Sequence, residues 1–403
     1  ELHCQSSFSF LDGASSPLDL ATRAADLGYP VLALTDHDGI WGSMEFAVAC
    51  KGVGIKPITG TELTVSINGR LFHLTLLVEN QTGYANLCRL LTEAHARTRD
   101  GRERQAGQPS VPIEALAGRS EGLVCLSGCA GRGPLTSAWR DGDLVRAEKL
   151  ARSLAGWFGN ESFRIELQRP YWRHDRARNR WLSSLATRLG LRTVATGNVH
   201  SHESSRARLQ DALVAVRTGK TIEACEPERR GNSSSAMASP RQMAARFADY
   251  PEAVAESADI ASRLEFDLEK ELGYRYPQSE DPTADRSLSE LCLSRLDSRY
   301  EGTPQAAEAD RRLREELRII RGLGLSGFFL LHHDLLELAR EVAVEVRGPD
   351  SARSVLPPGR GRGSSVSSIV CYLTGLSHVD PVKAELFPGR FLNEEVTAVP
   401  DID

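Results

Sequence analysis

The sequence predicts an α/β fold that begins with a parallel sheet, closed or open, and continues into a second, smaller domain. Two observations support this prediction. From Glu1 to Thr218, short apolar segments alternate with amphipathic ones, and repeated strand–helix units form parallel sheets. Beyond Asp285 the strand pattern gives way to amphipathic helices, which lead to a glycine-rich loop and two closely spaced aspartates.

The elements of the first domain follow from apolar periodicity and from the residues that start and stop helices. Strands are predicted at Glu1–Gln5, Val31–Thr35, Lys56–Val65, Leu71–Val78, Gly122–Ser127, Arg164–Leu167 and Arg192–Ala195. Helices are predicted at Pro17–Leu27, Gly42–Gly52, Tyr84–Ala96, Arg146–Trp157, Arg176–Leu189 and Ser204–Thr218. Arg97–Pro109 and Glu223–Ser239 are polar, so we expect a solvated loop and a surface excursion there.

A segment rich in proline and acidic residues divides the chain. Helices are predicted from Ser239-Pro240 onward and at Pro251–Leu264, after which the periodicity is lost. We therefore place the first domain at residues 1–268, a linker at 269–285 and the second domain at 286–403.

The second domain begins with helices. They are predicted at Leu288–Tyr300 and Ala307–Arg321. Leu313, Leu317 and Ile320 form an apolar stripe that predicts core packing, with the charged face solvated. His332 and His333 follow, and because neighbouring residues on a helix point about 100° apart, a structural role is favoured over metal binding.

Composition indicates a packed chain. Hydrophobic residues make up 41% and charged residues 26% of the 403, and no apolar run approaches the roughly 20 residues of a membrane span. The eight cysteines include no C-x-x-C pair, which favours a reducing cytoplasm over disulfides or structural zinc. The net charge of −5 does not indicate nucleic-acid binding, so we expect any basic DNA-binding surface outside this chain.

A phosphate site is predicted at the glycine-rich loop G-R-G-R-G-S-S, which ends at Ser365. Glycines without a Cβ atom let backbone N–H groups approach a phosphate, and Ser364 and Ser365 stand where a helix is expected to begin. The apolar run from Val366 to Leu373 is expected to anchor the loop against a sheet. Further on, Asp401 and Asp403 would share one face of a strand, and paired carboxylates suit Mg²⁺ and two-metal phosphoryl transfer.

These motifs, in order, resemble the palm of C-family bacterial DNA polymerases, the DNA polymerase III alpha subunits. The matching motifs are G-R-G-S, L-T-G-L-S-H-V-D-P, R-F-L-N and P-D-I-D. The resemblance implies an α+β palm in which Asp401 and Asp403 are two of three catalytic aspartates, the third lying outside the chain. It also implies a triphosphate site formed by Arg362, Gly363, Ser364 and Arg390.

Polar side chains that can bind metal stand near the ends of several predicted strands. They are His3, Asp12, His37, Glu62, His73, Cys129 and His200. The carboxyl ends of strands in βα folds line the functional mouth, so imidazole, carboxylate and thiolate there predict a multinuclear site for Zn²⁺, Mn²⁺ or Fe. Each residue alone is also compatible with a hydrogen-bonded structural role.

Their order resembles the polymerase-and-histidinol-phosphatase (PHP) domain, a distorted (βα)₇ barrel with nine metal-ligand positions. Seven positions match, whereas Gln5 and Asn198 stand where the family has a histidine and an aspartate. A neutral amide is a weak ligand, so we expect Zn²⁺ or Mn²⁺ binding to be partial or absent and exonuclease activity to be lost. The remaining residues would then form a hydrogen-bond network.

The two resemblances together imply a fragment of a DNA-directed DNA polymerase. H-C-Q-S-S-F-S-F-L-D-G-A-S and T-D-H-D-G resemble the error-prone, translesion branch. The implied partners are primer-template DNA, deoxynucleotides, the sliding clamp and mutagenesis accessory proteins, with no membrane. We expect the 403-residue chain alone to extend no primer. A free-standing PHP-type phosphoesterase and a non-catalytic scaffold are the alternatives; a third carboxylate and a basic helical region farther along the protein would exclude both.

Overall fold

The computed structural model describes most of the chain. The residues described are 1–96, 98, 107–226, 228–272, 281–350, 352, 361–387, 389, 391–393, 400 and 402. The chain divides into two compact units, Glu1–Gly273 and Tyr274–Asp403. Within the described residues, no helix is long and apolar enough to cross a membrane.

The first unit is built on one sheet. Its strands are β1 (Val31–Leu34), β2 (Lys56–Ile67), β3 (Arg70–Val78), β4 (Val111–Pro112), β5 (Leu123–Leu126), β6 (Phe163–Gln168) and β7 (Arg192–Thr196). The strand order is β1-β2-β3-β5-β6-β7, with β4 paired to β2. Six of the seven predicted strand segments lie in the sheet, and the remaining one, residues 1–5, lies beside it.

The prediction of an all-parallel sheet is wrong at β3, which runs antiparallel to both β2 and β5. The cause is a two-residue turn at Asn68 and Gly69, whose φ angles are 49° and 75°. An Asn-Gly pair favours positive φ at both positions and joins two strands as a hairpin. The sheet is therefore mixed, and residues at the start of β3 lie at the same edge as the carboxyl ends of the parallel strands.

The first five residues close the sheet into a distorted barrel. Thr35 beside β1 donates its N–H to the Cys4 carbonyl at 2.7 Å. On the other side, Gln5 donates its N–H to the Val199 carbonyl at 2.8 Å, and Val199 donates to the His3 carbonyl at 2.9 Å. This segment thus fills the gap between β1 and the chain that follows β7, as a barrel requires.

Helices cover the outside of the barrel. They are α1 (Pro17–Asp26), α2 (Ser43–Gly52), α3 (Gln81–His95), α4 (Pro134–Arg140), α5 (Leu144–Phe158), α6 (Asp175–Leu189), α7 (Ala207–Thr218), α8 (Pro240–Arg246), α9 (Pro251–Arg263) and α10 (Leu268–Glu271). The helices predicted from periodicity are present within a few residues of their expected bounds, and the short helix α4 was not predicted. Ser239 starts α8 with a capping box that it forms with Gln242.

Inside the barrel, alternation along the strands separates an apolar floor from a polar mouth. On β2, Ile58 and Glu62 lie on one face, and on β3, Leu77 and His73 do the same. Ile58 and Leu77 belong to an apolar cluster that includes Ile260 of α9, so this helix closes the floor. Glu62 and His73 are left at the other end, which is the mouth.

The second unit is helical in its described part. Its helices are α11 (Ala284–Tyr300), α12 (Ala306–Gly322), α13 (Ser326–Arg347) and α14 (Ile369–Thr374), with a 3₁₀ turn at Gly363–Ser367 before α14. Leu313 and Ile320 are fully buried and Leu317 packs against the same core, which confirms the predicted stripe.

The expectation of a helix start at Ser364 and Ser365 is met only by the 3₁₀ turn Gly363–Ser367, since the α-helix begins at Ile369 with Ser368 as its N-cap. The expectation that the apolar run packs against a sheet is wrong for the described residues, in which α14 packs into a core made with α11, α12 and α13. The predicted strand of Asp401 and Asp403 lies outside the described residues.

The floor of the barrel supplies the first prediction. Arg164 of β6 is fully buried and donates from Nε to Glu256 of α9 at 2.6 Å. Glu256→Ala would leave this guanidinium with only the exposed Glu161, 3.9 Å away, as a counter-charge, at a cost of up to roughly 3–5 kcal/mol. We expect a clear drop in the melting temperature of the first transition of the full-length protein. Glu252→Ala, at an exposed position on α9, is the matched control, and equal melting of the two variants would contradict the prediction.

Candidate functional site

The polar mouth of the barrel is organised around Glu62, whose exposure is 1%. Its Oε1 lies 3.2 Å from His73 Nδ1, and its Oε2 lies 3.1 Å from His37 Nδ1. Gln5 also donates from Nε2 to Oε2. One buried carboxylate therefore contacts side chains from the first segment, from the end of β1 and from β3. We call these residues, with His3, the Glu62 end of the mouth.

His3 joins the Glu62 end through Nε2, which lies 3.5 Å from Glu62 Oε1. Its Nδ1 lies 2.7 Å from Glu166 Oε1. Glu166 of β6 was not predicted as part of the site, yet Thr196 and Gln168 also donate to it. The sequence did contain a signal for Glu166. Polar residues at positions 164, 166 and 168 alternate with apolar residues along β6, so they face the barrel interior.

A second group of residues forms the opposite side of the mouth, which we call the Asp12 end. Asp12 Oδ2 lies 3.1 Å from His37 Nε2 and 3.3 Å from His200 Nδ1. His37 thus links the two ends. Asn198 Oδ1 lies 3.0 Å from His200 Nε2. The structure brings these predicted residues together, as the strand-end argument required.

Two arginines that were not predicted lie at the Asp12 end. Arg217 of α7 approaches Asp12 Oδ1 with its Nη1 at 3.0 Å. Arg230 contacts His200 Nε2 through Nη2, which also lies 3.7 Å from Asp12 Oδ2. Arg230 belongs to the segment Glu223–Ser239, for which a surface excursion was expected. That expectation is wrong at this residue, because the segment returns over the mouth and its side chain is 22% exposed.

Cys129 is buried after β5, where its Sγ accepts the Arg132 N–H at 3.3 Å. Burial, with a contribution from Glu62, raises the pKa of Cys129 to about 12, so the thiol form dominates at neutral pH. Arg132 also places its Nη1 3.5 Å from His73 Nε2, on the side of the ring that faces away from Glu62.

The side chains of the T-D-H-D motif divide between site and scaffold. Asp36 accepts hydrogen bonds from the Ser6 N–H at 2.7 Å and from Ser9 Oγ at 2.7 Å, which fixes the loop that leads to Asp12. Asp38 accepts from the N–H of Thr64 on β2 at 2.6 Å. His37, between them, is thereby held toward the mouth. Neither Asp36 nor Asp38 is therefore a candidate metal ligand.

Burial and neighbouring charges set the ionisation of the cluster. Burial alone would raise the pKa of Glu62, but the surrounding imidazoles, His73 foremost, hold it well below its usual range. Burial would lower the pKa of His3, but Glu166 and Glu62 outweigh this and raise it well above its usual value. Burial, followed by the charge of Arg230, holds the pKa of His200 well below its usual value. Without a bound ion, these surroundings favour the neutral form of His200 and the protonated form of His3.

The Glu62 end fits one divalent ion. Among the described residues, one group of three side chains, His37, Glu62 and His73, has ligand atoms within 4.8 Å of one another. His3 Nε2 and Glu62 Oε1, which face each other, are buried without hydrogen-bond partners. Orphaned buried atoms of this kind suit a cation bound between them. Imidazole and carboxylate ligands are typical of Zn²⁺ and Mn²⁺ sites.

In the second unit, the glycine-rich loop is anchored by a buried ion pair of α12. Glu316 accepts hydrogen bonds from Ser368 Oγ at 2.7 Å and from the Ile369 N–H at 3.0 Å, so it caps α14. Arg312, one turn earlier, donates to the carbonyls of Ser367 and Leu386. Sequence reasoning missed this pair, although Arg312 and Glu316 lie on the same helix face as Leu313 and Ile320.

The loop requires glycine at two positions, but the N–H of Gly361 is already bonded and so is not available to a phosphate. Gly361 donates its N–H to the Leu376 carbonyl at 2.6 Å, and a Cβ atom there would lie 2.6 Å from that oxygen. Gly363 has a φ of 65°, which favours glycine. Arg362 is exposed and Ser364 half-buried, so both can meet a ligand. Arg390, Asp401 and Asp403 lie outside the described residues. His332 and His333 bond the separate carbonyls of Phe328 and Thr374, as residues with a structural role would.

Comparison with known proteins finds a matching family for part of each unit. Residues 1–170 match the PHP domain, and residues 286–403 match the bacterial DNA polymerase III alpha NTPase domain. The whole chain is 36% identical to an error-prone DNA polymerase of Symbiobacterium thermophilum and 33% identical to one of Mycobacterium bovis. It is 32% identical to DNA polymerase III subunit alpha of Treponema pallidum. The chain spans about a third of these relatives, namely 36%, 36% and 34% of their lengths.

The anchor of the glycine-rich loop supplies the second prediction. Glu316→Ala would leave three buried donors without an acceptor and the Arg312 guanidinium without its counter-charge, at a cost of roughly 3–5 kcal/mol. We expect faster amide hydrogen exchange in residues 363–374 of the full-length protein, measured by mass spectrometry. Glu315→Ala is the control, because that side chain is 54% exposed on the same helix. Unchanged exchange in the Glu316 variant would show that the pair does not hold the loop.

Proposed function

Because the chain belongs to the family of bacterial DNA polymerase III alpha subunits, we propose that the protein it comes from is a DNA-directed DNA polymerase. The observation that carries this proposal is similarity to error-prone DNA polymerases over the entire chain. The same similarity supports error-prone synthesis past DNA lesions as the cellular role. In this proposal the second unit is the first part of the palm and binds the incoming nucleotide.

The glycine-rich loop would bind the triphosphate. Gly363 begins a 3₁₀ turn, and the N–H groups at the start of such a turn are free of the turn's own hydrogen bonds. Arg362 and Ser364 stand beside them and are open to solvent in part. The Arg312–Glu316 ion pair of α12 would hold the loop in one conformation, so that phosphate binding would not include the entropic cost of ordering it. Arg390 would add a positive charge to the same phosphates.

Asp401 and Asp403 would hold Mg²⁺ in this palm, because paired carboxylates are hard oxygen ligands. The ions would supply Lewis-acid stabilisation of the attacking and leaving oxygens. The role of this chain is then to place the α-phosphate of the nucleotide against the primer 3′-hydroxyl. Primer-template DNA and deoxynucleotides are the substrates we propose, with the sliding clamp and mutagenesis accessory proteins as partners. All eight cysteines are free thiols, which supports a cytoplasmic location.

For the barrel, we propose at most one bound ion, Zn²⁺ or Mn²⁺, and no exonuclease activity. His37, Glu62 and His73 would hold the ion, which could polarise a water molecule. Gln5 donates to the Glu62 oxygen nearest His37 and so competes with metal for that lone pair. Without a second ion the site lacks the paired cations that stabilise both oxygens of a phosphodiester displacement.

The third prediction tests the palm aspartates. Asp401→Asn or Asp403→Asn removes one negative charge from a site that must hold Mg²⁺ near a triphosphate. We expect the rate of nucleotide incorporation by the full-length protein to fall by about two orders of magnitude or more, on the scale of losing a major electrostatic contact. Rapid-quench primer extension measures this rate, and unchanged melting would show that the fold persists. Near-normal rates would remove these aspartates from the catalytic site.

The fourth prediction separates binding from chemistry at the loop. Ser364→Ala deletes one hydroxyl beside a cradle composed of backbone N–H groups. We expect weaker nucleotide binding by about 1 kcal/mol, seen as a several-fold higher Kd with a nearly unchanged maximal rate. Ser367→Ala is the control, since its hydroxyl donates to the Ser364 carbonyl and is buried. A loss confined to the maximal rate would contradict the proposed role.

A further inference from the structure

The Asp12 end of the barrel mouth is already filled by positive charge. Arg217 and Arg230 approach its carboxylate and its imidazole, at the positions where the PHP resemblance calls for metal ligands. We propose that Arg230, supported by Arg217, takes the place of a metal ion there. The mouth then binds at most one divalent ion, at the Glu62 end.

The atoms that would bind a metal at the Asp12 end already face other groups. His200 Nε2 faces the Arg230 guanidinium, and His200 Nδ1 lies 3.3 Å from Asp12 Oδ2. Asp12 Oδ1 lies 3.0 Å from Arg217 Nη1. A guanidinium supplies N–H groups where a metal would supply an empty orbital, so it satisfies the same lone pairs. Both Asp12 oxygens and His200 Nε2 are therefore engaged, and His200 Nδ1, which forms no hydrogen bond, faces the already paired Asp12 Oδ2.

The charges at this end also oppose a divalent ion. One carboxylate, that of Asp12, meets two guanidinium groups, and Asn198 contributes a neutral amide where the family has an aspartate. An added ion would lie close to both arginines in a mouth where Asp12 is 9% exposed. Like charges repel strongly where water is excluded. The Glu62 end differs, because there Glu62 and Glu166 face histidines.

Arg230 is held in place by the chain around it. Its carbonyl accepts the Trp172 Nε1–H at 3.4 Å. Two residues farther on, Asn232 donates from Nδ2 to the Pro170 carbonyl at 2.8 Å, and Ser234 Oγ donates to the same oxygen at 3.0 Å. His200 in turn donates its own N–H to the Ser235 carbonyl at 2.8 Å. The segment that carries Arg230 is therefore bonded to the segment that carries His200, which makes the contact a built feature of the mouth.

The experiment restores the two missing metal ligands in the full-length protein, with and without Arg230, and compares how much metal each variant binds. One variant carries Gln5→His and Asn198→Asp, and a second carries the same changes with Arg230→Ser. Each protein is equilibrated with Mn²⁺ or Zn²⁺, desalted and analysed for bound metal. We expect no more than one ion per chain in the unaltered protein and in the first variant, and at least one additional ion in the second. The added ion should also raise the melting temperature of the second variant.

Equal metal content in the two variants, whether both gain ions or neither does, would overturn the proposal.

The melting temperatures of two single variants provide an independent test. Arg230→Met removes the resident cation and should lower the melting temperature, whereas Arg229→Met should lower it less. Arg229 is a matched neighbour, since its side chain is 21% exposed against 22% for Arg230 and pairs with Asp211 outside the mouth.

Crystals of the unaltered protein soaked in Mn²⁺ provide a test that needs no variant. Anomalous density is expected at the Glu62 end or nowhere in the mouth. A manganese ion within bonding distance of His200 or Asp12 would refute the proposal. None of these readouts measures nucleotide transfer, so they stand or fall separately from the polymerase activity.

Discussion

The architecture of the barrel mouth depends on one constraint, which is that a buried carboxylate must be matched by donors and positive charge. Glu62 is 1% exposed, and its partners Gln5, His37 and His73 come from three separate parts of the sheet. Satisfying this one side chain therefore fixes how the first segment, the end of β1 and β3 lie relative to each other. The same segment closes the barrel through backbone bonds, so closure and site are one structure.

The second unit also contains a buried carboxylate, Glu316, but its positive partner comes from the same helix. Glu316 is 4% exposed and Arg312 is 5% exposed, yet they lie one turn apart on a helix that is otherwise amphipathic. The carboxylate caps α14 and the guanidinium bonds the carbonyls before it and beyond it. The end of the 3₁₀ turn and the start of α14 are thus both tied to α12. A loop that binds phosphate through its backbone gains from this, because its N–H groups are placed before the ligand arrives.

Local pattern predicted most of the helices and strands, since periodicity reports directly on which face is buried. It also placed seven candidate ligand residues at one edge, because strand ends converge there. The direction of β3 was missed, although the Asn68-Gly69 pair signals a hairpin. Arg230 could not be predicted, because its contact with His200 joins residues 30 apart through a segment without periodicity. Whether a polar residue such as Glu316 faces the core depends on a tertiary partner that composition does not reveal.

The altered ligand positions and the arginines have a common physical consequence. Where the family pattern has an acid, Asn198 removes one negative charge from the Asp12 end, and the two guanidinium groups add positive charge beside it. If bound metal ions neutralised these carboxylates, a chelator would destabilise the mouth, because its carboxylates would repel each other and its imidazoles would lack partners. Arginine side chains stabilise the mouth at any metal concentration, because their charge is covalently part of the chain. The proposed loss of hydrolytic chemistry is therefore compatible with retention of the barrel, and the same substitutions would account for both.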